Sequence, residues 1–488
     1  MRPILLGAPT ALLAACTVGP NYQRPAAPVP PSYADPHAAD PANNASLASW
    51  WSGFADPELD KLVNRAIAQN LDVESAAARI REARAKERAA GAAAMPQVDA
   101  QASASRQRIS ENAIPVPPGA GGTAGGGSFG LPGSEFDTFR VGFDASWEID
   151  LFGKTRRSVE AAHARTGAAI WNRRDAQVIA AAEVADAYLT LRALQQQIAT
   201  AKAEVARQQR FVELVGARVR GGLVTGEDLA QQQSQLKAAE ASIPPLKSQA
   251  DAQIHALGVL TGDTPETLIA ELSASAALPQ PPAVPAGLPS DLLRRRPDIR
   301  AAERNLHAST ADIGVATADL YPKFSLTAAP ALVSTALASL LEWGSRSYTA
   351  SAAVDWPIFN GGRTRANIEA AKAVQQQALI AYRKTVLTAL KDVEDALGNI
   401  DNDRRQVASL GDAHANAARA EQIARERYQG GLVTYTDVLQ VQASRISLEN
   451  QLAEAHGKLD RETVALFKAL GGGWPELAKE EISKGGEP

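Results

Sequence analysis

Residues 138–149 read TFRVGFDASWEI and residues 347–358 read SYTASAAVDWPI, and these two stretches decide the fold. Both alternate apolar and polar side chains with a period of two, which is the pattern of a β-strand with one apolar face. Residues 97–108 and 323–332 alternate in the same way. Strands of roughly 10 residues cross a bilayer when they are tilted. The alternation fits membrane-spanning strands and also a half-buried soluble sheet, and the neighbouring segments decide between the two.

Each predicted strand pair is followed by a very long helical segment. Residues 154–220 and 363–429 are each 67 residues long and contain no proline. At about 1.5 Å per residue, such a helix extends about 100 Å. Each segment ends at a Gly-Gly pair, which can supply a left-handed C-cap, and a Thr-x-x-Asp sequence that can cap a new helix follows. Helices of this length are typical of coiled coils or helical tubes, so they favour the membrane interpretation of the strands.

The chain contains an internal duplication. A shift of 209 positions superposes residues 147–228 on 356–437 without a gap, and it places Trp147 on Trp356. Further upstream the offset is 226 positions, so that Pro96 falls on Pro322. The first half therefore carries a 17-residue insertion, which falls in the Gly/Pro-rich stretch 115–133 and predicts a loop. Equal spacing over a long block requires equal helix lengths, so we expect two tandem structural repeats.

Four strands cannot close a barrel, and open sheet edges are not tolerated in lipid. A barrel of about eight strands is filled by side chains, whereas three chains would supply 12 strands and leave room for water. The predicted fold class is a mixed α/β membrane protein: a trimeric 12-stranded β-barrel with four strands per chain, continued by a long α-helical periplasmic barrel. Two aromatic girdles are expected at the strand ends, formed by Phe139, Trp147, Tyr348 and Trp356.

Composition excludes several classes of function. The chain has 50 basic and 54 acidic residues and a net charge of -4, which gives no footprint for nucleic acid. One cysteine and six histidines without ligand spacing predict no metal site and no cofactor. Matches to G-x-S-x-G and G-x-G-x-x-G within 125–130 lie in a glycine run and lack the strand-turn-helix context of these motifs. An enzyme is therefore not expected.

The single cysteine follows an apolar N-terminal stretch that ends Leu13-Ala14-Ala15-Cys16. This is a lipobox, and it predicts a signal peptide and a covalent lipid on Cys16. A secretory signal with an incidental cysteine is the alternative. Thr17 stands where aspartate would retain a lipoprotein in the inner membrane, so export to the outer membrane is expected.

The predicted segments follow one another without gaps along the chain. They are the lipoprotein signal peptide 1–15, the lipidated tether 16–57, the first helix of repeat 1 at 58–96, a strand hairpin at 97–150, a helical hairpin at 151–270, an equatorial linker at 271–298, the first helix of repeat 2 at 299–322, a strand hairpin at 323–358, a helical hairpin at 359–470 and a C-terminal tail at 471–488.

Several motifs carry a resemblance to a known family. Residues 16–22 read CTVGPNY, 51–59 read WSGFADPEL, 288–299 read LPSDLLRRRPDI and 359–363 read FNGGR. The chain resembles the TolC-like outer membrane efflux proteins, in particular the lipoprotein branch of OprM/NodT type that serves resistance-nodulation-division systems. The resemblance covers nearly the whole mature chain. It implies a homotrimeric conduit in the Gram-negative outer membrane, with a periplasmic adaptor (membrane fusion) protein and an inner-membrane pump as partners, exporting drugs or other small toxic compounds.

The resemblance also implies a gate and a docking surface at the two helical hairpins. The gate candidates are Asp437, Asp228, Arg427, Arg218 and Tyr428, and helix capping is an open alternative for both aspartates. Small residues at an exposed turn would admit an adaptor's hairpin. These docking residues are Gly221, Gly222, Leu223, Val224 and Thr225, with Gly430, Gly431, Leu432, Val433 and Thr434. Two other functions stay open: a conduit for protein secretion, and a non-conducting lipoprotein that spans the periplasm, although a spacer has no need of membrane-length strands.

Overall fold

The computed structural model describes residues 17–27, 29–34, 47–110, 135–283, 287 and 289–474. The signal peptide, Cys16, the glycine-rich loop 111–133 and the tail from 475 lie outside the described residues. The chain divides into two compact units. The strand unit comprises 1–23, 83–165 and 306–378, and the helical unit comprises 24–82, 166–305 and 379–488. Among the described residues, every helix is too short or too polar to cross a bilayer.

The sheet of the strand unit is antiparallel and is four strands wide. Two of these four are interrupted, and each of the four, whether continuous or interrupted, is called a ribbon. Strand β1 pairs along its whole length with β2, and the other edge of β2 pairs with both β3 and β4. β6 pairs with β3 and β5 pairs with β4. Thus β3 with β4, and β5 with β6, each form one interrupted ribbon. The strands are β1 Gln97–Arg108, β2 Glu135–Ile149, β3 Lys323–Ala328, β4 Ala331–Ser334, β5 Arg346–Ser347 and β6 Ala350–Asp355.

The two interruptions differ from the continuous strands predicted at 323–332 and 347–358. Pro330 separates β3 from β4, because proline has no N–H to donate to the ladder. Opposite this break, Ala329 and Thr349 still exchange two backbone hydrogen bonds, of 2.7 and 3.3 Å. β6 ends at Asp355, two residues before Pro357. Four ribbons per chain are nevertheless formed, as predicted.

The long helices have the predicted bounds. Helix α3 spans Lys154–Arg220 and helix α9 spans Arg363–Gln429, each with 67 residues. After the first turn, α4 covers Gly226–Ala241 and α5 covers Ile243–Thr261. The break between α4 and α5 precedes Pro244-Pro245, as expected from the loss of two N–H donors. After the second turn, α10 covers Tyr435–Ala469 in one piece.

Other boundaries differ from the sequence-based ones. The segment 58–96 contains two helices, α1 over Pro57–Gln69 and α2 over Leu71–Ala92. The side chain of Asn70 accepts hydrogen bonds from the backbone N–H groups of Asp72 and Val73, and this cap starts the second helix. The segment 271–298 is not all linker. The remaining helices are α6 Pro265–Leu272, α7 Pro289–Arg295 and α8 Pro297–Ala318.

The core of the helical unit explains why the predicted tether ends early. Residues 50–54 form a 3-10 turn, and Trp50, Trp51 and Phe54 are buried in the core. Trp50 stacks on Phe467, with ring centroids 5.0 Å apart. The tether assigned to 16–57 therefore includes core residues at its C-terminal end. Burial of three large aromatic side chains outweighs the tendency of a short proline-rich segment to stay extended.

Candidate functional site: a strand wall and a helical tip

One face of the sheet is apolar along most of its length, and charged residues such as Arg106, Asp137 and Arg346 join it at the end far from the helices. The register aligns Val98 with Ala145 and Trp147 with Leu326, and Phe324 with Val354, so that the apolar side chains of each strand share a face. These side chains are open to the surroundings in the single chain: Val98 and Val354 are each 62% exposed. A continuous exposed apolar face on antiparallel strands fits contact with lipid.

The opposite face is polar and charged. Arg140 contacts Asp144 on this face, with Nη2 and Oδ1 3.1 Å apart. Asp99 of β1 lies directly opposite Asp144 in the register. Two carboxylates in one cross-strand pair repel each other unless water or a cation screens them. The polar face of the sheet is therefore suited to contact with water.

The two strand-helix corners repeat one contact. The indole N–H of Trp147 donates to the carbonyl of Ala94 over 2.9 Å, and that of Trp356 donates to the carbonyl of Leu320 over 3.0 Å. Both acceptors follow the last turn of the preceding helix, and they are 226 positions apart in the chain. The predicted duplication thus extends to a side-chain hydrogen bond. The other two girdle candidates differ, because Phe139 is half-buried whereas Tyr348 is 85% exposed.

The segment that follows Cys16 packs tightly on the strand unit. The Val18 N–H donates to the carbonyl of Phe152 over 3.1 Å. The buried guanidinium of Arg157 donates to the carbonyl of Val18 and to the side chain of Asn21. A Cβ on Gly19 would lie 2.5 Å from the Cα of Gly314, so only glycine fits there. Sequence reasoning missed Arg157, because nothing in the local pattern marks its partners 136 to 139 positions away.

Both helical hairpins turn in the same way. Gly222 and Gly431 adopt positive φ, and the N–H of the following leucine bonds back to the carbonyl of Arg218 or Arg427. This is the Schellman arrangement that the Gly-Gly pairs predict. Leu223 is 75% exposed and Leu432 is 77% exposed at these turns. The turn residues are therefore placed at accessible points of the helical unit.

Asp228 and Asp437 are confirmed as capping residues. Each closes a capping box with the threonine three positions before it, and its carboxylate accepts the N–H of that threonine. These bonds also hold the pKa of Asp437 below its usual range, so its side chain stays charged. The capping geometry accounts for both aspartates, and a gating role for them stays a prediction.

Two of the other three gate candidates, Arg218 and Tyr428, are in contact. The Arg218 guanidinium donates to the hydroxyl of Tyr428 and lies 4.7 Å from its ring centroid. Arg218 lies in the last turn of α3 and Tyr428 lies in the last turn of α9, so this contact joins the two hairpins. Arg427, its neighbour in sequence, is exposed.

A buried polar cluster that the sequence did not reveal also joins the hairpins. Gln442 donates to Glu204 over 2.8 Å, and Arg445 forms an ion pair with Glu421 and lies 3.8 Å from Glu204. The Tyr435 hydroxyl donates to Gln232. Each of the residues Glu204, Gln232, Glu421, Gln442 and Arg445 is less than a tenth exposed. The sequence has polar residues at helical spacing in these helices. A solvent-exposed helix face has the same pattern, so the pattern does not reveal that these residues are buried.

Comparison with known proteins identifies this arrangement. A family model described as outer membrane efflux protein matches residues 62–263 and 288–472. The chain belongs to the outer membrane efflux protein family. Pyoverdine export outer membrane protein OpmQ of Pseudomonas aeruginosa is 33% identical over 90% of this chain and 90% of its own length. Toluene efflux pump outer membrane protein TtgF of Pseudomonas putida is 31% identical over 96% of this chain and 97% of its own.

The solved outer-membrane channel OprN has the same fold. It superposes with a TM-score of 0.85 at 32% identity, and the match covers 94% of this chain and all of that chain. The predicted fold class is confirmed: this efflux protein combines membrane-length strands with long helices in two tandem repeats, as that channel does. The resemblance stated from sequence motifs is confirmed as well, and the protein is an outer membrane efflux channel.

Proposed function

We propose that three copies of this chain form one continuous conduit, which receives small toxic compounds from a periplasmic adaptor and an inner-membrane pump. The observation that carries this proposal is the four-ribbon sheet. Its apolar face is exposed, and its outer ribbons, β1 and β5 with β6, have no partner strand on one side within the described chain. Open edges are not tolerated in lipid, so neighbouring copies supply the missing partners.

The cargo is a small-molecule class rather than one compound. The relatives carry pyoverdine and toluene in their names although their identities to this chain are nearly equal. The polar face of the sheet carries charged groups of both signs, including Arg140 and Asp144, which favours no single charge of solute. Selection of the cargo then lies with the pump, which also supplies the energy.

A lipid on Cys16 anchors the chain beside the strand-helix corner. Cys16 lies outside the described residues and directly precedes Thr17 in the chain. Thr17 lies against Gly153, where an added Cβ would come within 3.1 Å of the Thr17 Cβ. Gly153 lies between β2, which contains the girdle residue Trp147, and the start of α3. Cys16→Ala would abolish incorporation of labelled palmitate and leave the fold unchanged, whereas continued labelling would overturn the assignment.

The gate and the docking surface lie at the hairpin turns. The adaptor meets Leu223, Leu432 and the glycines beside them. Gly430 has a negative φ and room for a Cβ, with its nearest neighbour 3.6 Å away, so Gly430→Phe would fold. This variant is expected to lower cross-linking to the adaptor at unchanged trimer yield. The double variant Asp437→Ala with Arg427→Ala is expected to raise conductance; unchanged conductance would remove both residues from the gate.

The conduit itself is tested with the detergent-purified full chain. Amine cross-linking should give a covalent trimer, and reconstitution should give liposome swelling with small sugars and discrete conductance steps in planar bilayers. A monomer that gives neither swelling nor conductance would overturn the proposal. Boiled, unfolded protein at the same concentration is the control for leakage caused by detergent.

A further inference from the structure

The helical unit contains a cavity of about 400 Å³ between α3, the α4–α5 segment and α10. Cavities of this size hold small organic molecules in many proteins. One face of each helix lines it, because the contributing residues recur every three or four positions. The walls include Gln197, Glu204 and Gln208 of α3, Ala239 of α4, and Ile446 and Glu454 of α10. All of them belong to one chain, so the cavity does not depend on the assembly proposed above.

Small side chains and a break between two helices form this cavity. The break between α4 and α5 lies beside it, and Ser242 at the break lines it. Ala201 and Ala239 form part of the wall, whereas their counterparts 209 positions later are Leu410 and Leu448. The larger counterparts take up space that the two methyl groups leave open. The cavity is therefore a feature of the first repeat's sequence and not a general consequence of a helical hairpin.

One part of the wall is polar, buried and already compensated in charge. Glu204 and Gln208 are each 6% exposed. The Glu204 carboxylate accepts hydrogen bonds from Gln208 over 2.6 Å and from Gln442 over 2.8 Å, and it lies 2.8 Å from the Arg207 guanidinium. These contacts neutralise its charge and fix both side chains, so this part of the wall is rigid and needs no cation from outside.

Glu454 carries the second carboxylate of the wall and differs from Glu204. It is exposed, and it has no cationic partner among the residues that the structure describes. Asn450, one turn earlier on α10, and Gln197 of α3 add amide oxygens. Within the described part of the chain, no Lys, Arg or His lines the cavity. A cleft whose only uncompensated charge is negative attracts cations and repels anions.

The remaining wall is apolar. It consists of Ala201, Ala238, Ala239, Leu246 and Ile446. A small inorganic cation would leave this surface in water, whereas an aliphatic group that covers it gains the free energy of burial. The cavity thus combines one uncompensated carboxylate with an apolar surface.

We infer that this cavity binds an amphiphilic organic cation, with its ammonium group at Glu454 and its aliphatic body on Leu246 and Ile446. An ammonium group has three N–H donors and no acceptor, so carboxylate and amide oxygens satisfy it fully. The bound cation contacts α3, the α4–α5 segment and α10 at once. This site goes beyond conduction, because it lies in the helical wall and selects by charge.

The test is photoaffinity labelling of the full chain, purified in detergent. The probe is hexylamine with a diazirine in its chain, and the matched neutral probe is the hexanol with the same diazirine. Peptide mass spectrometry locates the adducts. The amine should label residues 239–246 and 446–454 saturably, and unlabelled hexylamine should compete. The alcohol should label these residues about fivefold less, as expected for the loss of one partly exposed ion pair.

Two variants separate the charge of the site from its space. Glu454→Gln keeps the shape and should lower labelling by the amine about fivefold, to the level of the alcohol. Ala239→Leu introduces the side chain of the counterpart position and should abolish saturable labelling by both probes. Glu213→Gln on α3 and Ala230→Leu on α4 are the controls, because both residues are exposed and lie outside the cavity.

Equal labelling by the amine and the alcohol would overturn the inference, as would adducts scattered over other helices. Labelling of Glu454→Gln at the level of the parent would also overturn it, and this exposed substitution leaves the fold intact even where Ala239→Leu does not. Because one chain supplies every wall, a protein that labels as expected but forms no trimer would refute only the proposed conduit.

Discussion

The strand-helix corners and the helical tip come from the same duplication, yet the corners repeat their contact with the neighbouring element and the tip does not repeat the contacts between its two hairpins. Trp147 and Trp356 donate to equivalent carbonyls, at 2.9 and 3.0 Å. At the tip, the turns and capping boxes are duplicated, but Glu204, Gln232 and Arg445 have Ala413, Val441 and Leu236 as counterparts. A corner must fit the same strand-to-helix geometry in both repeats, whereas side chains between the two hairpins meet different neighbours in each repeat and so can differ.

The largest expected effect tests the buried cluster against its counterpart position. Arg445→Met removes the most buried cation of the cluster and leaves Glu204 paired with Arg207 and Glu421 paired with Arg425, so a cost of about 3 kcal/mol, the lower end for a broken buried pair, is expected. Leu236→Met, at the position 209 residues earlier, conserves volume and is expected to cost less than about 1.5 kcal/mol. Loss of the helical circular dichroism signal in urea measures both. Equal losses would show that the two positions are alike.

A second difference between the repeats concerns one buried carboxyl group. Burial raises the pKa of Asp460 to about 7, and its Oδ2 has no hydrogen-bond partner among the residues that the structure describes. Because the folded pKa exceeds the unfolded value of about 3.9, the folded state loses stability as pH rises from about 4 to about 7. Asp460→Asn removes this loss, which is on the order of 2–4 kcal/mol above pH 7 and vanishes near pH 4.

Asp251, 209 positions before Asp460, is exposed and provides the matched control. The melting temperature of Asp460→Asn should exceed that of the parent at pH 8 and equal it near pH 4. Asp251→Asn should melt like the parent at both pH values. A gain for Asp460→Asn that does not depend on pH would mean that repacking, and not ionisation, is responsible.

Where the repeats agree, equal costs are expected. Thr225→Ala and Thr434→Ala each remove one capping box and should lower the free energy of unfolding by about 1 kcal/mol. The exposed Thr436 lies outside the cap, so Thr436→Ala is the control. Urea unfolding midpoints compare the three variants. A cost at only one of the two caps would break the equivalence of the turns.

The smallest effect concerns the corners. Trp147→Phe and Trp356→Phe keep an aromatic ring and remove one N–H donor each, and because both indoles are more than a third exposed, each should cost about 0.5 kcal/mol. The thermal stability of the trimer in detergent measures this cost. Trp343→Phe in the exposed loop is the control, since Trp343 is 77% exposed. Clearly unequal costs would mean that the corners are also differentiated between the repeats.

The elements were predictable where local chemistry specifies them. The absence of proline indicated the uninterrupted helices α3 and α9, the glycines that flank them indicated where they start and end, and the Thr-x-x-Asp boxes indicated the helices that follow the turns. Interruptions were not predicted where one residue outweighs the pattern, as Asn70 does by capping α2 and as Pro330 does in the sheet. The burial of Trp50 in the core was also missed, because its partner Phe467 lies more than 400 positions away.

The sequence by itself determined the number of repeats, the four amphipathic ribbons, the long helices and the family, because periodicity, spacing and motifs are all properties of neighbouring residues. Only the tertiary structure decided which other polar side chains meet: Arg445 with Glu204, Arg157 with the segment after Cys16, and Tyr435 with Gln232. Which side chains meet across two packed helices depends on the rotation of each helix and on their relative register. A shift of one residue in either changes the partners, and a local sequence pattern contains no information about that shift.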